Sequence, residues 1–258
     1  MSPPAVLIHA DQDLLAQAVA ARLVTRIVDV QAARGSASVV LTGGGVGTAV
    51  LAALAATAAR DAIDWAHLDL WWGDERFLPS GDPERNETGA RAALLDHVGL
   101  DPARVHAMPA SDGPDADPES AAERYAAELR AASRPEDHGP VPSFDVLMLG
   151  VGPDAHVASL FPEMPAVYDG RAVVAVRGAP KPPPTRISLT FPSLHAAREV
   201  WVLAAGKSKS TAVRLGLSEA GPVQVPVAGA RGRQRTLFLL DRAAASELPP
   251  GIERIASP

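Results

Sequence analysis

A carboxylate and an imidazole lie close together in a glycine-bearing segment that follows an apolar run. Asp154 and His156 belong to the segment GVGPDAH (150–156). Histidine is the natural general base at neutral pH, and a neighbouring aspartate can fix its tautomer. The other interpretation is a hydrogen-bonded loop pair without chemistry. A metal site is less favoured, because no third ligand has a suitable spacing.

Three consecutive glycines, Gly43, Gly44 and Gly45, follow an earlier apolar run. Successive glycines let backbone N–H groups approach an anion, and the helix that follows would present its positive end. The segment therefore predicts either a phosphate cradle or a tight strand-to-helix turn that needs glycine for positive φ. The spacing alone does not decide between them. A P-loop is excluded, because no Gly-Lys-Ser/Thr sequence follows.

The remaining candidates are charged. Asp74, Glu75 and Arg76 follow an aromatic run and must reach either solvent, in a loop with a local ion pair, or a ligand. The three lysines, Lys181, Lys207 and Lys209, lie in one late segment that also contains Arg186. An acidic protein that binds a phosphorylated substrate needs a local basic cluster, and this segment is its natural source. The other histidines, among them His106, are predicted at strand ends or on the surface.

The composition predicts a globular cytoplasmic protein. The 258 residues include no cysteine, which excludes disulfide scaffolds, cysteine nucleophiles and thiolate metal sites. Lys and Arg number 24 against 30 Asp and Glu, so nucleic-acid binding through bulk charge is not expected. No signal peptide is apparent in residues 1–10. The uncharged stretch 35–59 indicates a strand, a glycine turn and an alanine-rich helix rather than a membrane span.

Apolar runs alternate with helical patterns, which predicts an α/β fold with a mostly parallel sheet flanked by helices. The predicted strands are 6–8, 38–42, 67–72, 144–149, 172–176, 186–191, 199–203 and 236–240, and the predicted helices are 11–33, 46–59, 87–98 and 208–217. Segments 110–119 and 133–143 are predicted surface loops. Without a visible repeat or linker, residues 1–258 are predicted to form one domain. Ligands bind beyond the carboxyl ends of parallel strands, where the polar segments described above lie.

Several segments together resemble the 6-phosphogluconolactonase family. They are LTGGG (41–45), WWGDERFLPSGDPERN (71–86), FDVLMLGVGPDAHVASLFP (144–162), PKPPPTRISLT (180–190) and GKSK (206–209), in the family's order and over most of the chain. The resemblance implies a fold shared with glucosamine-6-phosphate deaminases and ribose-5-phosphate isomerases. It also implies hydrolysis of 6-phospho-D-glucono-1,5-lactone to 6-phosphogluconate, the second step of the oxidative pentose phosphate pathway, without a metal or organic cofactor. We expect this small phosphosugar lactone as partner, no nucleic acid or membrane, and a monomer or weak homo-oligomer.

This reaction implies roles for the candidate residues. We expect His156 to remove a proton from the attacking water and Asp154 to orient its imidazole. Arg76 is the candidate to stabilise the oxyanion, because guanidinium is always charged and offers paired donors. Asp74 is expected to hold Arg76 or to contact sugar hydroxyls. By analogy with the related deaminases, the residues expected to bind the 6-phosphate are Gly43, Gly44, Gly45, Arg186 and Lys209, with Lys207 a less favoured alternative to Lys209.

The chain departs from the family pattern at a few positions. Ala155 and Val157 stand where the family usually has Gly and Thr, and Gly45-Val46-Gly47 stands where it usually has Ser-Thr-Pro or similar. The change at Ala155 is mild if its φ is negative. The missing hydroxyl at position 45 places more of the phosphate binding on backbone N–H groups. None of these changes removes the expected base.

Two alternatives stay open on the sequence. A hexosamine-phosphate deaminase or a sugar-phosphate isomerase would share the fold, although the SLFP segment (159–162) favours a lactonase, because the deaminases carry a short acidic segment there. A nucleotide-binding or phosphosugar-sensing module would keep the pocket without catalysis. The intact Asp154, His156 and Arg76 favour an enzyme.

Overall fold

The computed structural model describes residues 3–114, 116–218, 220–249 and 252. Its strands are β1 (Ala5–His9), β2 (Ala37–Leu41), β3 (Leu68–Trp72), β4 (Asp74–Arg76), β5 (Val146–Gly150), β6 (Val173–Val176), β7 (Arg186–Leu189), β8 (Glu199–Ala204) and β9 (Arg235–Asp241). Its α-helices are α1 (Gln12–Arg34), α2 (Gly44–Ala56), α3 (Asn86–Ala93), α4 (Pro118–Ala132), α5 (Phe191–Leu194) and α6 (Ser210–Gly216). Short 3₁₀ helices lie at Ala58–Ala62, Trp65–His67, Leu95–His97, Pro102–Arg104, Pro135–Asp137, Pro165–Tyr168, Lys207–Lys209 and Pro226–Gly229.

A parallel sheet forms the centre of the fold. In the described part of the chain its strands pair in the order β1-β9-β8-β5-β2-β3, and every pairing is parallel. Residues 146–149 of the inner strand β5 are all buried and apolar. Such continuous apolar strands are expected where a parallel sheet is covered on both faces. The predicted α/β fold, with a mostly parallel sheet flanked by helices, is confirmed.

The first helix forms close to its predicted bounds. The Asp11 side chain caps α1 by accepting a hydrogen bond from the Leu14 N–H at 2.9 Å, and Gly35 ends the helix with a φ of 79°. The predicted apolar face is buried: Leu15, Val19, Leu23 and Ile27. The other three predicted helices are shorter than predicted, and the last of them, α6, covers only Ser210–Gly216. Helix α2 begins at Gly44 and ends at Ala56, and α3 ends at Ala93, after which a 3₁₀ helix continues the segment.

Sequence reasoning does not predict a second sheet, which the structure places beside the first. Its strands pair antiparallel in the order β4-β7-β6. Asp74, Glu75 and Arg76 therefore form a strand rather than a solvated loop, and Glu75 is only 1% exposed. Charged residues are tolerated there because partners from other segments contact them, as described below.

Helix α4 begins within the first segment predicted as a loop, 110–119, and ends just before the second, 133–143. Residue 115 of the first segment lies outside the described residues. The Asp117 side chain caps α4 by accepting a hydrogen bond from the Ser120 N–H at 3.1 Å. The buried Tyr125 hydroxyl accepts one from the Trp72 N–H at 3.0 Å, which attaches α4 to the end of β3. The sequence patterns do not predict α4, because alanines occupy much of its buried face and give a weak periodic signal.

Among the described helices, none combines the length and apolar character that a bilayer crossing requires.

The strand order brings the polar segments together. Strands β2 and β5 are neighbours, so the loops beyond their carboxyl ends meet. The Gly150 N–H donates a hydrogen bond to the Thr42 hydroxyl at 3.1 Å across this junction. Strand β4 begins two residues after the carboxyl end of β3, so its charged residues lie near the same ends of the strands. The fold thus gathers all three polar strand ends at one place, as expected for an open parallel sheet.

Candidate active site

The three polar strand ends surround a cavity of about 270 Å³. It is lined by Thr42, Gly43, Gly44, Asp74, Arg76, Asn86, Gly150, Val151, Gly152, His156, Ala158, Lys181, Pro182, Arg186 and Lys209. The predicted residues in this lining are Gly43, Gly44, Asp74, Arg76, His156, Arg186 and Lys209. Asp154 is joined to the cavity through His156. Gly45 is exposed in the first turn of α2 and is not part of the lining.

Asp154 and His156 form a short hydrogen bond, with 2.6 Å between Oδ1 and Nδ1. Burial acts to raise the pKa of Asp154, but the hydrogen bond and charge of His156 and the charge of Lys181 outweigh it and hold that pKa well below its usual range. Asp154 is therefore ionised at neutral pH. Because Nδ1 faces Asp154, Nε2 is the ring nitrogen left to act on a ligand. The imidazole also packs against Phe161, with 4.5 Å between ring centroids.

The backbone beneath this pair is tightly folded. A Cβ added to Gly152 would lie 2.0 Å from His156 Nδ1 and 2.3 Å from Asp154 Oδ1, so glycine is required there. Ala155 has a φ of 68°, so the negative φ that would make its substitution mild is not present. A Cβ in this left-handed region costs about 1–2 kcal/mol, which the family's usual glycine avoids.

Asn86 connects the glycine segment to the charged strand. Its side-chain oxygen accepts a hydrogen bond from an Arg76 guanidinium nitrogen, and its side-chain nitrogen donates to the Asp74 carbonyl at 2.8 Å. A Cβ on Gly43 would lie 1.8 Å from the same Asn86 oxygen, so the glycine leaves room for this side chain. Asn86 thereby holds Arg76 at the cavity wall.

The Asp74 carboxylate has other partners than Arg76 among the described residues. Its Oδ2 accepts a hydrogen bond from the Ser159 hydroxyl at 2.7 Å and lies 3.9 Å from Arg186 Nη1. Ser159 and Asp74 are both buried. Of the two expected roles for Asp74, a direct contact with Arg76 is therefore absent from this part of the chain, and Asp74 orients Arg186 instead.

Glu75 is not part of the cavity lining, and it holds in place the backbone of residues that are. Its carboxylate accepts hydrogen bonds from the backbone N–H groups of Asn86 at 2.7 Å, of Glu87 at 2.8 Å and of Arg76 at 2.8 Å. Burial raises the pKa of Glu75, although these hydrogen bonds and the charge of Arg85 oppose that shift. Glu75 thus ties the N-terminus of α3 to β4, where a carboxylate interacts favourably with the helix dipole.

Arg186 anchors the loop between β6 and β7. Its guanidinium donates hydrogen bonds to the backbone carbonyls of Lys181 at 3.1 Å and of Pro182 and Pro183 at 3.2 Å. Burial lowers the pKa of Arg186, and the charge of Asp74 opposes that shift. These contacts hold Lys181 at the rim of the cavity.

The structure separates the late lysines. Lys209 and Lys181 line the cavity, whereas Lys207 Nζ lies outside it, 3.0 Å from Ser246 Oγ and 3.3 Å from Glu247 Oε1. Burial lowers the pKa of Lys209, and the neighbouring Lys181 lowers it further. Two ammonium groups that line the same cavity favour the binding of an anion beside them.

Sequence reasoning did not single out Asn86 or Lys181 as site residues. Asn86 lies within one of the quoted family segments, but its spacing from Arg76 carries no signal of contact. Lys181 belongs to the late basic cluster, and the adjoining proline run conceals which of its cations reach the cavity. Both assignments depend on the folded arrangement of β4, α3 and the β6–β7 loop.

Residues 10–239 match the family described as glucosamine-6-phosphate isomerases/6-phosphogluconolactonase, and the chain belongs to this family. It is 66% identical over 256 residues to a Streptomyces coelicolor protein named 6-phosphogluconolactonase, with 98% of each chain covered. The solved structure of 6-phosphogluconolactonase from Trypanosoma brucei is similar at a TM-score of 0.81 and 27% identity, covering 96% of this chain and 100% of that one. A monomeric glucosamine-6-phosphate deaminase has a TM-score of 0.76 at 20% identity, with 94% and 99% covered, which shows a shared fold. The resemblance identified in the sequence is confirmed.

Proposed function

We propose that this protein hydrolyses 6-phospho-D-glucono-1,5-lactone to 6-phosphogluconate in the pentose phosphate pathway, with His156 as the general base. The chain is a lactone hydrolase, as its family and its relatives named 6-phosphogluconolactonase support. The observation that carries the role of His156 is its 2.6 Å contact with an ionised Asp154 at a cavity lined by several cations. A phosphorylated lactone complements that charge.

The base acts on water. His156 Nε2 takes a proton from a water molecule as the water oxygen forms a bond to C1 of the lactone, and the carbonyl electron pair moves to its oxygen. Asp154 stabilises the imidazolium that results. The tetrahedral intermediate then collapses, the bond between C1 and the ring oxygen breaks, and the imidazolium returns its proton to that oxygen. The products are a free hydroxyl and a carboxylic acid, which ionises.

Arg76 stabilises the charge that develops on the carbonyl oxygen. Its guanidinium offers paired donors, and Asn86 fixes it in place before the substrate arrives. A donor prepared in this way contributes about 10²–10³-fold to turnover.

The 6-phosphate binds at the other cations of the cavity. Lys209, Arg186 and the backbone at Gly43 and Gly44 form this subsite, and Gly45 is removed from it because it lies outside the cavity lining. Such contacts exist before and during the reaction, so their loss mainly raises KM.

Proton release during hydrolysis of freshly generated 6-phosphogluconolactone, measured against the spontaneous rate, tests this proposal. We expect the wild type to accelerate hydrolysis and His156→Ala to lose about 10²–10⁴-fold in turnover while remaining folded. His97→Ala is the matched control, because His97 is exposed and outside the cavity. A folded wild type without activity would refute the reaction. Activity that survives in His156→Ala would keep the reaction and refute the base.

Four further expectations stay predictions from the sequence. They are the cytoplasmic location, the monomeric or weakly associated state, the single domain over residues 1–258 and a reaction without metal or cofactor.

A further inference from the structure

An imidazole and an ammonium group share one carboxylate oxygen at the edge of the cavity. Asp154 Oδ1 lies 2.6 Å from His156 Nδ1 and 3.3 Å from Lys181 Nζ. Asp154 and His156 belong to the loop after β5, whereas Lys181 comes from the loop between β6 and β7. A group that binds Lys181 therefore also changes the electrostatic surroundings of His156.

We propose that Lys181 is a positioning residue that links the phosphate of the substrate to the basicity of His156, by pairing with Asp154 in the free enzyme and with the phosphate in the complex. This inference rests on the proposed function. In this proposal the phosphate of the substrate contributes to binding and also strengthens His156 as a base.

The contact between Lys181 and Asp154 is weak enough for Lys181 to leave Asp154 and pair with the phosphate instead. The side chains are 40% and 33% exposed, and their 3.3 Å separation is longer than the 2.7–2.9 Å or so of a strong charge-assisted hydrogen bond. The Lys181 ammonium ends a flexible stem and faces electrostatic repulsion from Lys209. A phosphate dianion beside both lysines relieves this repulsion more fully than the single charge of Asp154 does.

The two arginines of the cavity have partners that keep them in place. Arg76 donates to Asn86, and Arg186 donates to backbone carbonyls and lies near Asp74. Lys209 is the second ammonium at the site of the expected phosphate. Lys181 is distinguished from these groups by its direct contact with the Asp154–His156 pair.

The exchange strengthens the base. In the free enzyme the Lys181 charge offsets that of Asp154 and so disfavours the imidazolium form of His156. When phosphate draws Lys181 away, the full charge of Asp154 acts on His156 and raises the affinity of Nε2 for a proton. A base that binds the water proton more strongly transfers it faster, as long as it is still deprotonated at the working pH.

The pH dependence of hydrolysis of 6-phosphogluconolactone separates this role from simple binding. The profile of kcat/KM reports the free enzyme and that of kcat reports the complex. In the wild type we expect the acidic limb of kcat/KM to lie at lower pH than that of kcat. In Lys181→Met we expect the acidic limb of kcat/KM to shift to higher pH by about one unit, so that the difference in pH between the two limbs becomes smaller. Lys207→Met, at a lysine outside the cavity, keeps the wild-type gap.

A second measurement uses 1,5-gluconolactone without phosphate, together with inorganic phosphite as a free dianion. We expect phosphite to raise the turnover of this lactone about threefold or more in the wild type and in Lys207→Met, and to leave Lys181→Met unaffected. Circular dichroism establishes that each variant is folded.

The outcomes distinguish the two proposals. A Lys181→Met enzyme with a raised KM but an unchanged gap between the limbs, or with undiminished phosphite activation, would overturn the link and leave Lys181 as a phosphate contact. A wild type that does not accelerate hydrolysis of 6-phosphogluconolactone would refute the proposed function itself.

Discussion

Single atoms decide the arrangement of the Asp154–His156 pair. Gly152 lies under both side chains, and its N–H donates a hydrogen bond to the His156 carbonyl at 2.9 Å. Gly43 plays a comparable part at the Asn86 side chain, where no Cβ would fit. These contacts explain on steric grounds why glycine stands at both positions. That the Gly43 backbone binds phosphate stays a prediction.

A methyl group at position 152 should therefore separate Asp154 from His156. In Gly152→Ala the new Cβ would lie 2.0 Å from His156 Nδ1, so the imidazole must move away from Asp154. We expect turnover in the proton-release assay to fall by about 10²–10⁴-fold, comparable with loss of the base. Gly170→Ala is the control, because a Cβ there meets nothing within 4 Å. A folded Gly152→Ala enzyme with full turnover would contradict the importance of this contact.

At the scale of elements, the junction of β4 and α3 sets the position of Arg76. The strand supplies Arg76 and the buried Glu75, and the helix supplies Asn86 at its first turn. Glu75 binds the N–H groups at the start of α3, so one buried carboxylate holds the helix that holds the guanidinium. Local stability and site geometry are therefore linked at this junction.

Replacing the Glu75 carboxylate by an amide should lower the stability of the protein and also disturb the position of Arg76. In Glu75→Gln one oxygen acceptor becomes an NH₂ donor facing backbone N–H groups, and we expect a loss of about 1–3 kcal/mol in the free energy of unfolding. Turnover should fall with it, because Asn86 no longer fixes Arg76. Denaturant unfolding and the proton-release assay measure the two effects. The exposed Glu84→Gln is the control, and equal stability of the two variants would show that Glu75 does not hold the junction.

At the scale of the whole molecule, His106 joins the parallel sheet to α4. Its ring stacks on Trp71 of β3 at 3.7 Å between centroids, and its Nδ1 lies 2.6 Å from Glu128 Oε1 of α4. Its Nε2 lies 3.5 Å from Asp69 Oδ1. The side chain is 13% exposed, so the prediction of a surface position is wrong. Burial acts to lower the pKa of His106, but hydrogen bonds and charges from Asp69 and Glu128 outweigh it and raise that pKa.

This contact predicts the pH dependence of folding. Because the folded state binds the His106 proton more tightly than the unfolded state, its contribution to stability is fully present below the ordinary pKa of 6.5 and is lost as the pH rises through the raised value. Denaturant unfolding of the wild type from about pH 5.5 to about pH 8.5 should show this loss. His106→Gln should remove that part of the slope, and the exposed His97→Gln should retain it. Identical slopes in all three proteins would contradict the assignment.

Much of the architecture follows from local patterns in the chain. The apolar runs of β1, β2, β3 and β5 and the face of α1 are read correctly because burial imposes a period on nearby residues. Strand β4, the antiparallel pairing of the predicted strands 172–176 and 186–191, and α4 are not predicted in this way. Strand β4 is charged, since its partners come from distant segments, and α4 buries small residues that give little contrast.

Local sequence is enough to predict the parallel sheet, its polar strand ends and the expected base, carboxylates and cations, because each depends on residue type and local spacing. Which of these groups meet depends on how the chain folds. The tertiary structure placed Lys209 and Lys181 at the cavity and Lys207 outside it, paired Asp74 with Arg186, and put Asn86 against Arg76. Such contacts join segments far apart in the chain, where strand order and register, rather than local sequence, set the distances between side chains.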